Sequence, residues 1–295
     1  MGGDDMVVHR RTGWKHIFIS AALMLALLSC GGGGGTGDGN DVIDDGAGSG
    51  EEDTQRWIPE VTDTWQWQLS GALNTTYDVV VYDIDLFDNP TDVMEQLHAS
   101  GRKVICYFSA GSYEAWRSDA QYFASADLGE TLDGWPDERW LDIRSSDVRQ
   151  MMLSRLDLAL QKGCDGVEPD NIDGYVNHTG FPLTADDQLD YNRFLANAAH
   201  ERRLAIALKN DLDQVDDLVD DYDLAVNEQC HEYDECDALM PFIDAGKPVF
   251  NAEYASIYIN DTPRRSALCE DALNRGFQTL VLPLDLDGGF RYSCE

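Results

Sequence analysis

"CDGVEPDNIDGY", residues Cys164 to Tyr175, places Asp165, Glu168, Asp170 and Asp173 within ten residues, where an apolar strand gives way to a loop. Crowded carboxylates repel and raise one another's pKa values, so such a cluster is poor scaffolding and reads first as the mouth of a site. Outward from it, short apolar runs recur along the chain: "DVVVYDID" (78–85), "KVICYFS" (103–109), "WLDI" (140–143), "DGVEPD" (165–170), "LAIALKN" (204–210), "LAVNE" (224–228), "PVFNAEY" (248–254) and "FQTLVLP" (277–283). Runs rich in Val, Ile and Leu with little polar alternation suit parallel strands covered on both faces.

Amphipathic stretches separate many of these runs. Val148, Met152, Leu156 and Leu160 recur every four residues behind a helix cap expected at Ser146 or Asp147. "TADD" (184–187) has capping-box spacing, and Leu195, Ala198 and Ala199 follow on one face. Further helices are expected over 91–100, 235–245 and 263–275. Alternation of strands and helices with a strand count of eight predicts an α/β fold, a (β/α)8 TIM barrel in a single domain, with "VEPD" as its fourth strand. Neither GxGxxG nor GxxxxGK[ST] occurs, which removes the usual nucleotide-binding reasons for an open sheet.

Before the barrel, "RRTGWKHIFISAALMLALLSC" (10–30) joins a basic region to a short apolar run and a cysteine. It reads as a lipoprotein-type signal peptide over residues 1–30, with Cys30 as the lipidated residue; an ordinary signal peptide is the plainer alternative. Such an anchor holds a chain to a membrane without spanning it. Residues 31–56, rich in Gly and Asp, read as a disordered tether. The barrel domain is expected over 57–295, roughly 240 residues and enough for a large core. An exported protein of the bacterial cell envelope or its surroundings, monomeric, is the expectation. A formal net charge of -34 argues against nucleic acid, whose phosphates need a basic face, and favours a cationic partner. Seven cysteines less Cys30 leave six for an oxidising compartment. Cys230 and Cys236 are close enough for a small loop bridge, Cys269 with Cys294 is plausible, and Cys106 reads as simply buried. Zinc is the rival reading, weakened by the absence of any CxxC pair.

In a barrel, active sites lie at the carboxyl ends of the strands. Those ends carry Asp83 and Asp85, Tyr107, Asp142, Glu168 and Asp170 with Asn171, Lys209 with Asn210, Asn227 with Glu228, Glu253 with Tyr254, and Asp285. Residues two apart on a strand share a face, so Glu168 and Asp170 should point into the same site. Several carboxyls with few histidines suit glycoside hydrolysis, which needs one protonated and one ionised carboxyl. Tyr107, Trp116, Trp135, Trp140 and Tyr254 are candidate sugar-stacking rings, with core packing as the alternative. A Mg²⁺ or Ca²⁺ site would use the same oxygens, although Lys209 competes for them.

The ordered segments "YDVVVYDID", "GRKVICYFSAGSYEAWR", "WLDIRS", "GCDGVEPDNIDGY", "ALKND" and "AVNEQC" resemble those of glycoside hydrolase family 114, the endo-α-1,4-polygalactosaminidases, over about Trp65 to Tyr254. The resemblance implies a barrel hydrolase that cuts α-1,4-linked galactosamine polymer, a cationic amino-sugar polysaccharide, without a cofactor or metal. The aspartate of the family's "EPDN" motif falls on Asp170, implied as nucleophile, and the glutamate of "NEQC" on Glu228, implied as acid/base. Retention of configuration is the family expectation. Asp83, Asp85, Tyr107, Asp142, Glu168, Asn171, Lys209, Asn227, Glu253 and Tyr254 are the candidate substrate-binding residues, the surplus acids pairing with ammonium groups. Two other glycosidase patterns fit less well. A chitinase-like DxxDxDxE reading finds Ile172 where its acid should be, and a strand-four and strand-seven pair would join Glu168 to Glu253. A tethered binding protein without catalysis is the reading from a different class.

Overall fold

The computed structural model describes residues 56–295, so the expected signal peptide, Cys30 and nearly all of the tether lie outside the described residues. Arg56, the last residue assigned to the tether, already pairs with Asp223 at 2.9 Å.

Eight parallel strands are found among the described residues: β1 (Trp65–Gln68), β2 (Val81–Asp85), β3 (Lys103–Ser109), β7 (Gly166–Asp170), β8 (Ala205–Lys209), β9 (Leu224–Glu228), β10 (Val249–Glu253) and β11 (Gln278–Val281). They pair in that order and curl into the barrel of a TIM-type fold. β12 (Tyr292–Ser293) adds antiparallel to β11. Between β1 and β11 the seam is held by other bonds: Trp65 Nε1 donates to the Gln278 carbonyl at 2.8 Å, and Arg291 donates to the Trp65 carbonyl at 2.9 Å. Helices α1 (Thr91–Ala99), α2 (Ser146–Lys162), α3 (Ala185–Glu201), α4 (Val215–Leu218), α5 (Met240–Asp244), α6 (Ser256–Asn260) and α7 (Thr262–Arg275) lie in the connections.

Strand alternation sorts the core into two layers. Trp65, Trp67, Val81, Ile105, Ala207, Val226, Phe250 and Leu280 fill the barrel, where Trp65 stacks on Phe250 with centroids 4.9 Å apart. Tyr82, Ile84, Phe108, Val167, Ile206 and Leu208 face outward onto Met152, Leu156 and Leu195 of the helices. The α2 stripe buries Val148, Met152 and Leu156 but leaves Leu160 exposed, and its cap is Ser145, whose Oγ accepts from the Asp147 amide, rather than Ser146 or Asp147. The capping box at Thr184 and Asp187 forms as its spacing predicts.

One strand differs from expectation. "WLDI" belongs to no barrel strand: Leu141 ends β6 (Trp135–Leu141), which forms an antiparallel sheet with β4 (Ser112–Glu114) and β5 (Leu128–Leu132) inserted after β3. The missing barrel strand is "WQWQ" at 65–68, buried along its whole length. Gln68 tolerates this because its side-chain amide donates to the Ser70 and Ala72 carbonyls and accepts from the Asn74 amide, whereas Gln66 reaches only the Trp67 carbonyl, at 3.4 Å, and keeps a buried Oε1 without a partner. "VEPD" remains the fourth strand. Cys230–Cys236 and Cys269–Cys294 are bridged, and Cys106, read as merely buried, is bonded to Cys164, tying β3 to the residue that leads into β7.

Candidate active site

The opening segment sits at the rim. The β7–β8 ladder pairs only Gly166 with Ala205 and Val167 with Ile206, so the last residues of both strands leave it and project side chains into the barrel mouth. Lys209, 2% exposed, fills the space between them. Its Nζ lies 2.9 Å from Asp170 Oδ1, 3.2 Å from Glu228 Oε2 and 3.4 Å from Glu168 Oε1, and it stands 5.0 Å from the centroid of the Trp67 ring. One ammonium thus serves three carboxyls.

Beneath it, Trp67 Nε1 donates to Glu168 Oε2 at 3.1 Å, and the fully buried Asp83, whose two oxygens find no other donor, neighbours Glu168 closely enough to pair with it once one of the two is protonated. Two carboxyls can share a hydrogen bond only around a proton. Burial, followed by the charge of Glu168, pushes Asp83 well above the usual range, and burial pushes Glu168 up to about 8 against the pull of Lys209. Asp83 therefore holds the proton and donates to Glu168.

Asp170 is held the other way. Burial works to raise it, but the Lys209 ammonium and hydrogen bonds from Lys209, the Tyr107 hydroxyl at 2.8 Å and the Asn171 amide at 2.8 Å outweigh burial and keep it below the usual range. Glu228 accepts from the Tyr254 hydroxyl at 2.6 Å and the Asn210 side chain at 3.2 Å. Burial, and then the neighbouring carboxylates, hold both phenols well above their ordinary value, so they remain donors. Asn171, Asn210, Asp211 and Gln229, just past β7, β8 and β9, have positive φ, a local strain typical of functional loops. Gly111 makes room for the first of these turns: a Cβ there would stand 1.7 Å from the Asn171 carbonyl oxygen. The Asn171 side chain donates to Ser109 Oγ at 2.9 Å, locking the loop to β3.

Three expected site acids are engaged elsewhere. Asp85 accepts two bonds from Arg117 and two from the Phe87 and Asp88 amides, a closed structural pair. Asp142 follows β6 and grips Arg144 through both oxygens, Arg144 lowering its pKa. Glu253 lies on the outer face, because its strand neighbours Phe250 and Ala252 fill the interior; it accepts from the His231 amide and Asn251, and burial raises it to about 7. Glu168 and Glu253 are thereby on opposite faces of the sheet and cannot act as a pair. Ile172 is buried in the outer core, Asp285 is exposed in the loop after β11, and Trp140 is buried while Trp116 is half-exposed. Among the described residues, the group of potential metal ligands that comes together is Cys230, His231 and Cys236, whose thiols are spent in a disulfide. Where a cation among the rim acids would sit, Lys209 already sits.

Beside Glu228 opens a cleft of about 380 Å³, lined by Asp173, Asp211, Asp213, Asn227, Tyr233 and Glu235 among others. Asn227 reaches it while donating to Asn210 Oδ1 at 3.2 Å. Burial and then the Asp170 charge push Asp173 to about 6; burial and then Asp173 and Asp213 push Asp211 to about 8. Reading strand ends alone passes over Asp211, Asp213, Tyr233 and Glu235. The acids directly after "ALKN" were the available signal.

The chain matches the profile of glycoside-hydrolase family GH114 over residues 46–295. Aspergillus fumigatus Ega3, solved in complex with galactosamine, is 45% identical, with a TM-score of 0.77 over 83% of this chain and 100% of that one. The glycoside hydrolase domain of PelA from Pseudomonas aeruginosa shares the fold at 13% identity and a TM-score of 0.58, over 76% of this chain and 96% of that one. An uncharacterized protein of Deinococcus radiodurans is 28% identical over 228 residues, 68% of this chain and 73% of its own length.

Proposed function

From the premise that this chain belongs to glycoside-hydrolase family GH114, and is therefore a glycoside hydrolase, we propose that it cleaves α-1,4-linked galactosamine polymer internally, by a retaining two-carboxylate mechanism. The observation that carries the reading is the shared ammonium. Asp170 Oδ1 and Glu228 Oε2 contact the same Lys209 Nζ at 2.9 and 3.2 Å, so they stand no more than about 6 Å apart. That suits the ~5–5.5 Å carboxyl separation of retaining enzymes better than the ~6.5–9.5 Å of inverting ones. Asp170, kept ionised, attacks the anomeric carbon as the glycosidic C–O bond breaks, and Glu228 gives its proton to the leaving oxygen. Glu228 then takes a proton from water, whose oxygen displaces Asp170 and regenerates both groups.

The complex of Ega3 with galactosamine, at 45% identity, supports an amino-sugar substrate. The acidic net charge supports long-range attraction of a polycation. The chain acts outside the cytoplasm, held by lipidated Cys30, a reading carried by its "LLSC" segment and three disulfides. The test is incubation of the full chain in mild detergent with partially deacetylated galactosaminogalactan, following oligosaccharides by mass spectrometry. Release that disappears in Glu228→Gln is expected. Saturable binding without release would make the chain a tethered sugar-binding module.

A further inference from the structure

The cleft beside Glu228 is lined by no Lys, Arg or His, yet it contains an acid buried as few acids are. Asp211 is 4% exposed. Its Oδ2 accepts from Asn192 Nδ2 at 2.9 Å, while Oδ1 is buried without a hydrogen-bond partner. Asn192 is itself fixed, donating also to the Ile172 carbonyl at 3.0 Å and accepting from Gln188 Nε2 at 2.9 Å. Asp211, a residue of the cleft wall, is thus one half of an interaction: one oxygen is anchored to α3 and the other is buried without a donor. A buried carboxyl oxygen with no donor carries an unrecovered desolvation cost, which a cation entering the cleft would offset.

We propose that Asp211, flanked by Asp173 and Asp213, forms an ammonium-binding subsite that selects a sugar unit with a free amine beside the unit on which Glu228 acts. This rests on the glycosidase reading above and identifies which acids recognise the amine: those of the cleft, in place of Asp85, Asp142 and Glu253. The charged and titratable groups around Asp211 are Asp173, Asp213, Glu228 and Glu235 with Tyr175 and Tyr222; the nearby cation acting on this wall, Lys209, is committed to the carboxyls of the barrel mouth. With Asp211 raised to about 8, the empty subsite holds a proton at neutral pH. An arriving R–NH₃⁺ displaces it, forming a carboxylate–ammonium pair and sending one proton to solvent. Amine affinity therefore strengthens as pH rises above about 6, until the sugar amine, a weaker base than an alkylamine because of its neighbouring oxygens, gives up its own proton.

The test compares the full wild-type chain with Asp211→Asn and Asp213→Asn on α-1,4-galactosamine polymer and on the same polymer after chemical N-acetylation. Wild type should prefer the free-amine polymer. Asp211→Asn should raise KM for that polymer about tenfold or more, keep kcat within a few-fold, and lose the initial strengthening of affinity above about pH 6. Its unfolding midpoint at pH 8 should not fall, since a buried acid has been replaced by a neutral amide; a merely structural Asp211 would give a lower midpoint and an unchanged pH dependence. Should Asp211→Asn misfold, the exposed Asp213→Asn decides, with a smaller rise in KM in the same sense. KM values and pH dependence equal to wild type in both variants, or no preference of wild type for free amines, would overturn the subsite. If wild type cleaves neither polymer, the glycosidase reading fails on its own. Calorimetry of galactosamine oligosaccharide binding in two buffers of different ionisation enthalpy then decides the subsite: proton release lost in Asp211→Asn upholds it, and no proton release overturns it.

Discussion

The barrel mouth and the cleft beside it are both crowded with carboxyls, but only the mouth has its own cation. Around Lys209, Asp170 is held ionised and Asp83 keeps its own proton against Glu168, so each group's state is set by the protein before substrate arrives. Along the cleft, Asp173 and Asp211 have no internal ammonium at contact distance, and burial with mutual repulsion keeps their pKa values high. An internal counter-ion makes carboxylates fit for chemistry by fixing their charge. Leaving it out makes them fit for recognition, because the counter-ion is then the ligand.

The hardest test of that contrast removes the fixed charge itself. Asp170→Asn, nearly the same in shape, should reduce kcat on the order of 10³-fold or more, each tenfold being about 1.4 kcal/mol of barrier, with KM little changed. Activity within a few-fold of wild type would remove Asp170 from the mechanism.

Lys209→Met removes the cation and should make the mouth resemble the cleft. Asp170 loses the main interaction that opposes burial, so its pKa rises and the acid limb of the pH–rate profile moves upward. A loss of about 10²-fold at neutral pH, partly recovered toward alkaline pH, is the expected kinetic result. Stripping one partner from a buried ionic cluster also costs roughly 3–5 kcal/mol of stability, readable as a lower denaturation midpoint. An unshifted profile would mean that Tyr107 and Asn171 alone keep Asp170 ionised.

Stability as a function of pH compares the regions without any mutation. Asp83, Glu168, Asp173, Asp211 and Glu253 have folded-state pKa values above the unfolded ones. The stability linked to them is fully present below about pH 4, the unfolded carboxyl range, and for Glu168, Asp173, Asp211 and Glu253 it is lost as pH climbs through about 6 to 8. Asp170 has the opposite sign: its contribution is present above the unfolded value and disappears as pH falls below it. Raised acids outnumber the lowered Asp170, Asp142 and Asp187, so thermal unfolding followed from pH 5 to pH 9 should show a falling midpoint, and galactosamine oligosaccharide should restore part of the loss. A rising midpoint would mean that the raised acids find cations on folding.

Much of this arrangement is legible in the sequence, and the failures have physical causes. The strand ends "VEPD" and "VNE" and the lysine of "ALKN" do converge, because alternation in a parallel strand leaves little freedom about which residues face inward. The same rule, applied with an unknown phase, sent Glu253 to the wrong face: Phe250 and Ala252 set that phase, and it shows only once the interior is packed. "WQWQ" is not legible as a barrel strand because its glutamines break the apolar pattern, and the burial of Gln68 is offset by loop groups, those of Ser70, Ala72 and Asn74 and, at 3.4 Å, the Asp287 carbonyl. Asp211 was missed for another reason. Its importance lies in what does not bond to Oδ1, and no sequence pattern records a missing donor.

Asp142 gives the smallest expected effect and the sharpest check on that account. "WLDI" carries every local mark of a barrel strand, and the family-like segment "WLDIRS" surrounds it, yet β6 pairs antiparallel outside the barrel and Asp142 is tied to Arg144. An ion pair this near the surface contributes about 0–1 kcal/mol. Asp142→Asn should therefore leave kcat/KM on galactosamine polymer within about twofold of wild type at every pH from 5 to 8, with the unfolding midpoint barely moved. A tenfold rise in KM would bring the inserted sheet into the substrate path, and the cleft of Asp173, Asp211 and Asp213 would then be only one side of a binding surface that continues across β4–β6.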